Sequence, residues 1–125
     1  MRASLATIKT LQFSNVLELK FVRRILKPGS PPTRRMLCTG NLALLNSPEG
    51  RIALNFRPAY NRPKYNPDTK NLAITWDIFM QDYRNINANA CDVLTIVPVQ
   101  DFWEFFNERR LGVMSVVDKI NFMNR

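Results

Sequence analysis

Residues 41–76 read NLALLNSPEGRIALNFRPAYNRPKYNPDTKNLAITW, and this stretch decides the predicted fold. Two short apolar runs, residues 41–46 and 51–56, flank the sequence SPEG, which has the composition of a turn. Apolar runs joined by such a turn are typical of a β-hairpin. A basic, proline-rich loop follows, and the chain returns at residues 71–76 as a third strand. The sequence therefore predicts a small sheet that presents a basic loop.

The charge of the chain is unevenly distributed. Its 125 residues carry a net charge of +8, and 46% of them are hydrophobic, which leaves room for one domain with a modest core. Residues 1–40 carry eight Lys and Arg against one Glu, residues 41–70 carry five against two acids, and residues 71–125 carry five against seven. This distribution is typical of a protein that binds a polyanion. A targeting sequence joined to an ordinary domain is the alternative.

Several residues that enzymes commonly use are missing. The sequence contains no histidine, which is the commonest general base and metal ligand. The spacing of Cys38 and Cys91 does not suggest zinc, and we interpret them as buried thiols, with a disulfide as the alternative. The glycines are isolated, so the usual Gly-rich nucleotide loops are absent. We therefore expect no catalytic residue, no metal and no cofactor, and we favour a binding or assembly role over an enzyme.

The first 36 residues are rich in Arg, Lys, Ser, Thr and Leu and contain one acid, a composition typical of a mitochondrial transit peptide. We predict residues 1–36 as a basic N-terminal extension, which either serves in import or anchors the protein in an assembly. Residues 37–125 are predicted as a small α+β domain. Asn15 followed by Glu18 predicts a helix up to Lys27, although the same residues also alternate as a strand.

The second half of the chain shows clearer local signals. Asp77 is predicted to cap a short helix over residues 78–84, and residues 93–97 form a β-branched run that predicts a buried strand. Asp101 with Glu104 makes a capping-box pattern at the start of an aromatic helix. The predicted fold is thus α+β, a small antiparallel sheet of about four strands covered by this helix. Residues 113–123 form a second amphipathic stretch, interpreted as a helix or a docking tail.

The basic loop, residues 57–70, interleaves cations with tyrosines. Lys and Arg can neutralise phosphates while tyrosine rings stack on unpaired bases, each stack contributing about 1–3 kcal/mol. A solvated loop with locally packed tyrosines is the alternative, and the arginines of the extension also fit an import signal. Trp76 is interpreted as either a core residue or a stacking platform. The predicted nucleic-acid-binding residues are Arg23, Arg24, Arg34, Arg35, Arg51, Arg57, Tyr60, Arg62, Lys64, Tyr65 and Lys70.

Residues 42–58 (LALLNSPEGRIALNFRP) resemble the hairpin of the Whirly fold family, in which an apolar strand ends in an aromatic-x-Pro step before a loop. Residues 72–83 are similar to its next strand and short helical segment, and residues 93–110 to its closing strand and aromatic helix. The resemblance covers about residues 40–111. The family includes plant organellar single-stranded DNA-binding proteins and kinetoplastid mitochondrial guide-RNA-binding proteins. The resemblance therefore implies an organellar sheet that faces nucleic acid.

These observations predict an RNA-binding protein of the mitochondrial matrix. We expect a small subunit or accessory factor of the mitochondrial ribosome or of an RNA-processing complex. Its expected partners are RNA, single-stranded or ribosomal, and other protein subunits of a large assembly. The alternative is a non-catalytic structural accessory subunit of a mitochondrial inner-membrane complex, and only in that case do we expect membrane contact.

Overall fold

The computed structural model describes residues 1–23, 28–29, 31–57, 73–86 and 90–124. Strands and helices alternate irregularly along these residues, so the fold class is α+β as predicted. The elements are β1 (Arg2–Ser4), α1 (Leu5–Leu11), β2 (Asn15–Val22), β3 (Thr33–Thr39), α2 (Leu42–Leu45), α3 (Pro48–Ala53), β4 (Ala73–Asp77), β5 (Asp82–Ile86), β6 (Ala90–Pro98), α4 (Phe102–Glu108) and α5 (Val116–Met123).

The strands pair in one antiparallel sheet with the spatial order β1-β6-β2-β3-β4-β5. In the described part of the chain the sheet has six strands, where the sequence predicted about four. Leu17 of β2 lies opposite Cys38 of β3 on one side and opposite Ile96 of β6 on the other. The N-terminal third of the chain therefore supplies the strand in the middle of the sheet.

The helix predicted over residues 15–27 is wrong where the structure describes it, because Asn15–Val22 form β2. Leu17 and Leu19 are buried on one face of this strand and Val16 on the other. The period-two alternation and the hydrogen-bonding strands on both sides outweigh the local capping signal.

The predicted boundary between residues 36 and 37 lies inside β3. Residues 2–22 also supply β1, α1 and β2, and β1 and β2 both pair with β6. The described residues on both sides of that boundary therefore belong to one sheet.

The hairpin predicted over residues 41–56 is also wrong, because this segment forms α2 and α3. The Asn41 side chain accepts a hydrogen bond from the backbone N–H of Leu44 at 2.8 Å, and the Ser47 hydroxyl accepts one from Gly50 at 3.0 Å. Each side chain satisfies a backbone donor that a helix start leaves free. Pro48, at the first position of α3, needs no such partner. The SPEG sequence is therefore a helix start and not a hairpin turn.

The third predicted strand is confirmed as β4 within the described residues, but the helix predicted after it is not formed. Residues 78–81 make a turn, and β5 returns antiparallel to β4. The Asp77 carboxylate accepts hydrogen bonds from the backbone N–H groups of Phe79 and Met80, at 3.1 and 3.0 Å. Gln81 has a φ of 54°, which completes the reversal. Asp77 thus stabilises a turn by the same kind of bond that would have capped a helix.

The strand predicted over residues 93–97 is confirmed as part of β6, and the aromatic helix is confirmed as α4. Phe102 and Phe106 are buried in the same cluster as Val16, Trp76 and Val97. The predicted capping box is not formed, because the Asp101 side chain makes no cap hydrogen bond and a 3-10 turn over Val99–Asp101 precedes the helix.

The sheet is covered on both faces. On the front face, apolar side chains such as Leu37 and Trp76 pack against helices α2, α4 and α5. On the back face, Leu19 and Met36 pack with Ile8 of α1. The amphipathic stretch predicted near the end is a helix, α5, and its Phe122 packs edge-on against Phe79 with ring centroids 4.8 Å apart.

Candidate nucleic-acid interface

The predicted nucleic-acid-binding residues divide into two groups. Five of them lie within the described residues: Arg23, Arg34, Arg35, Arg51 and Arg57. The other six lie outside the described residues: Arg24, Tyr60, Arg62, Lys64, Tyr65 and Lys70. The structure therefore locates the base of the basic loop and the arginines of β3, and the contacts of the loop itself stay a prediction.

Arg34 and Arg35 both form internal ion pairs. Consecutive strand residues face opposite sides of a sheet, yet both guanidinium groups reach helix α5. The Arg34 guanidinium lies 2.6 Å from Asp77, and the Arg35 guanidinium lies 2.6 Å from Glu18. The second Glu18 oxygen accepts a hydrogen bond from the Thr95 hydroxyl at 2.6 Å. These pairs account for both cations without a phosphate.

Burial shifts the pKa values of both partners in the Arg34–Asp77 pair. Desolvation raises the pKa of Asp77, while hydrogen bonding from Met80 and the charge of Arg34 act in the opposite direction. Desolvation also lowers the pKa of Arg34, and the charge of Asp77 opposes that change. Burial therefore disfavours the charged form of each residue, and the opposite charge of its partner offsets part of that cost.

Arg23 and Arg51 pair with neutral side chains. Arg23 donates a hydrogen bond to the Asn124 side-chain oxygen at 2.9 Å, and Arg51 donates from its Nε to Asn46, also at 2.9 Å. A carboxamide oxygen orients a guanidinium without cancelling its charge. Neither hydrogen bond places a carboxylate beside the cation.

Arg57 is exposed at the base of the basic loop and borders a cavity of about 300 Å³. The described residues that line this cavity are Asn55, Arg57, Trp76 and Gln81. The Asn55 amide donates a hydrogen bond to the Gln81 side-chain oxygen at 3.3 Å, and both residues have a φ of 54°. A cation and two carboxamides thus meet beside the loop. Sequence reasoning missed the two carboxamides, and the only local signal was that asparagine tolerates a left-handed backbone.

Trp76 is a core residue and not a stacking platform. Its side chain is 1% exposed, and the rings of Phe56 and Tyr83 meet it edge-on, each with a centroid separation of 5.0 Å. The indole Nε1 is buried and has no hydrogen-bond partner among the described residues. Because its ring is enclosed by Phe56 and Tyr83, Trp76 is not available for stacking on a base.

The two cysteines are free and buried, as predicted. Burial raises the pKa of the Cys38 thiol to about 12, and it also raises the pKa of Cys91. Within the described residues no cluster of three or more potential ligands is placed to hold a metal ion. In the same part of the chain, no helix is both long and apolar enough to cross a membrane.

No family model matches the chain, and comparisons with curated proteins and with solved structures also found no match. The resemblance to the Whirly fold family therefore stays a prediction.

Proposed function

We propose that this protein binds RNA through the surface that begins at Arg57 and continues into the basic loop. The observation that carries the proposal is the position of Arg57, which is exposed beside a cavity lined by Asn55, Gln81 and Trp76. Guanidinium groups bind phosphate, and carboxamides hydrogen-bond to base edges. The cavity therefore offers phosphate contacts and base contacts next to each other.

The sequence of residues 57–70 supplies the rest of the proposed surface. It adds Arg62, Lys64 and Lys70 as cations and Tyr60 and Tyr65 as rings on which unpaired bases can stack. Arg51 of α3, whose hydrogen-bond partner Asn46 is neutral, adds a further cation to the proposed surface. Arg34 and Arg35 are left out of the proposed surface because Asp77 and Glu18 neutralise them.

The proposed setting is a ribonucleoprotein of the mitochondrial matrix, with this chain as a small subunit or accessory factor and without catalysis of its own. The basic composition of residues 1–36 supports this setting. The Whirly-like pattern of residues 93–110 also supports it, since this is the matched segment that forms the expected strand and aromatic helix. Because β2 lies in the middle of the sheet, cleavage after residue 36 would remove a central strand. In this proposal the segment is therefore retained after import.

The salt dependence of RNA binding tests the proposal. Labelled single-stranded RNA is titrated with the full chain over a series of KCl concentrations. Replacing Arg57, Arg62 and Lys64 by Gln should lower the magnitude of the slope of log K against log[salt] by about 2, since each phosphate contact contributes about 0.7 for single strands.

The matched control removes three cations elsewhere, at Arg2, Arg110 and Lys119. It lowers the net charge equally but should leave the slope close to that of the parent protein. If the loop variant kept the parent slope, or if both variants changed it equally, the proposed surface would be wrong.

A second candidate function is that of a structural accessory subunit of an inner-membrane complex. The observation that favours it is an exposed apolar row on and before α5, formed by Val113, Val116, Val117 and Ile120. This role would use the helix predicted from Asn15 to Lys27 to contact lipid or a partner subunit, but the described part of that segment, Asn15–Val22, forms β2. RNase treatment of the native assembly separates the two functions. Release of the protein supports RNA binding, whereas retention with detergent-solubilised membrane protein supports the structural role.

A further inference from the structure

A second cavity, of about 320 Å³, lies between the front face of the sheet and helices α4 and α5. Its floor is buried and includes Glu18 and Leu37. Its rim is exposed and carries Arg109 of α4 and Asp118 of α5. A cavity of this size holds a ligand as large as a nucleotide, at the lower end of the range for small-molecule sites.

The charges at the floor are already used within the protein. Both oxygens of Glu18 are occupied, one by Arg35 and the other by the Thr95 hydroxyl. The Arg35 guanidinium lies over the Phe122 ring, 5.1 Å from its centroid. The floor therefore presents a fixed, planar group and aromatic carbon, and not a free charge.

The charges at the rim have no charged partner. Arg109 and Asp118 form no ion pair with each other or with any other residue in the described part of the chain. Arg109 lies over the Phe105 ring, 5.1 Å from its centroid, which restricts its position. The same cavity is thus lined by a cationic hydrogen-bond donor, Arg109, and an anionic acceptor, Asp118, and it suits a ligand that carries both acceptors and donors.

We propose that this cavity binds a single unpaired guanine base of the RNA, a proposal that rests on the proposed function. Guanine presents the acceptors O6 and N7 to an arginine, which is the commonest specific contact to this base. Its N1–H and amino group are donors that a carboxylate such as Asp118 accepts. The cavity lining also includes Phe105 and Phe122, so the base would lie against aromatic side chains.

Adenine fits the same rim poorly. Its N1 is an acceptor and would face the Asp118 carboxylate, which is also an acceptor, and it has no O6 for Arg109. The arrangement therefore predicts a preference for guanine over adenine and not a general affinity for nucleotides.

Calorimetric titration of the full chain with guanosine 5′-monophosphate and, separately, adenosine 5′-monophosphate tests this inference. The parent protein should bind the guanine nucleotide at least about tenfold more tightly, which is within the range of one bidentate base contact. Asp118→Asn should remove that preference while still binding both nucleotides. Arg109→Gln should weaken binding of the guanine nucleotide about tenfold.

The matched controls are Asp101→Asn and Arg110→Gln, which make the same chemical changes on exposed residues outside the cavity lining. Both should behave as the parent protein. Equal affinity for the two nucleotides, equal weakening of both by Asp118→Asn, or no nucleotide binding would overturn the inference. If RNA binding in the salt series still depended on the loop cations, such a result would leave the proposed function standing. If RNA binding were absent as well, the proposed function would fail independently.

Discussion

Arg34 and Asp77 form a buried ion pair that joins β3 to the turn after β4, with 2.6 Å between guanidinium nitrogen and carboxylate oxygen. Asp77 is 1% exposed, and its carboxylate also accepts the two backbone hydrogen bonds that hold the turn. One carboxylate thus fixes both the β4–β5 hairpin and a neighbouring strand. The pair is therefore structural, and we expect its loss to change how the free energy of unfolding depends on pH.

We expect Arg34→Met to reduce the free energy of unfolding at pH 7 by about 3–5 kcal/mol, because it leaves Asp77 buried without a countercharge. Burial already raises the pKa of Asp77 above its unfolded value, and loss of Arg34 raises this pKa further. The folded variant therefore binds a proton more tightly than the unfolded chain. The deficit should be smallest below the unfolded pKa of about 4 and should grow as the pH rises through the folded pKa. Urea denaturation at pH 4 and pH 7 measures it.

The control for this prediction is Arg2→Met. Arg2 lies 3.2 Å from Asp92 in an exposed pair, and such pairs contribute less than about 1 kcal/mol. This variant should lose little stability at either pH. A deficit for Arg34→Met that is the same at both pH values would show that Asp77 does not stay charged and unpaired in the fold.

Elements with strong local signals were predictable from the sequence. β4 alternates Ile74 and Trp76 with smaller residues, β6 contains a β-branched run, and α4 concentrates aromatics in one turn-and-a-half of helix. In each case the pattern belongs to the segment itself. The free thiols of Cys38 and Cys91 were predictable for the same reason, because small apolar residues in apolar strands are usually buried.

Elements decided by distant partners were not predictable. α2 and α3 have four and six residues, too short to show a helical period, so their apolar residues were interpreted as strands. β2 was predicted as a helix because its capping pattern lies within the segment itself. One of the two strands that pair with it, β6, is more than 60 residues away in the sequence, so this pairing could not be seen.

Ion pairs between residues far apart in the sequence were likewise not predictable. Arg34 and Asp77 are 43 positions apart, so the charge count could not show that this cation is neutralised. Arg57 differs from Arg34, because it lines a cavity beside two carboxamides. It is therefore the described cation on which the proposed RNA-binding surface is based.

The burial of β2 predicts a large effect of truncating its central side chain. Leu17 is 0% exposed, and we expect Leu17→Ala to reduce the free energy of unfolding by about 2–5 kcal/mol. Val22 lies in the same strand but is 64% exposed, so Val22→Ala should change it by no more than about 0.5 kcal/mol. Urea denaturation of both variants provides the comparison. Equally small effects would mean that residues 15–22 do not form a central strand in solution.

The contact between α2 and α3 predicts that Gly50 cannot be enlarged. A Cβ at this position would lie 2.8 Å from the carbonyl carbon of Leu45 and would also clash with the Leu44 carbonyl oxygen. We expect Gly50→Ala to destabilise by about 1–3 kcal/mol, although alanine favours a helix over glycine by about 1 kcal/mol. Glu49→Ala, at the exposed neighbouring position, is the control and should lose less than about 1 kcal/mol. A stabilised Gly50→Ala would show that the backbone of α2 does not approach residue 50 this closely in solution.

The two thiols should be unreactive in the folded protein. With its pKa raised to about 12 by burial, Cys38 is a thiolate in only about one molecule in ten thousand at pH 8, and the thiolate is the reactive species. Burial raises the pKa of Cys91 in the same direction. We therefore expect iodoacetamide at pH 8 to modify neither cysteine in buffer and both in urea, as measured by the mass of the intact protein. The reagent, the pH and the protein are the same in buffer and in urea, so a difference in modification between the two samples reports unfolding. Fast modification in buffer would show that the back face of the sheet opens readily, and a mass two units lower without reductant would show that the cysteines pair.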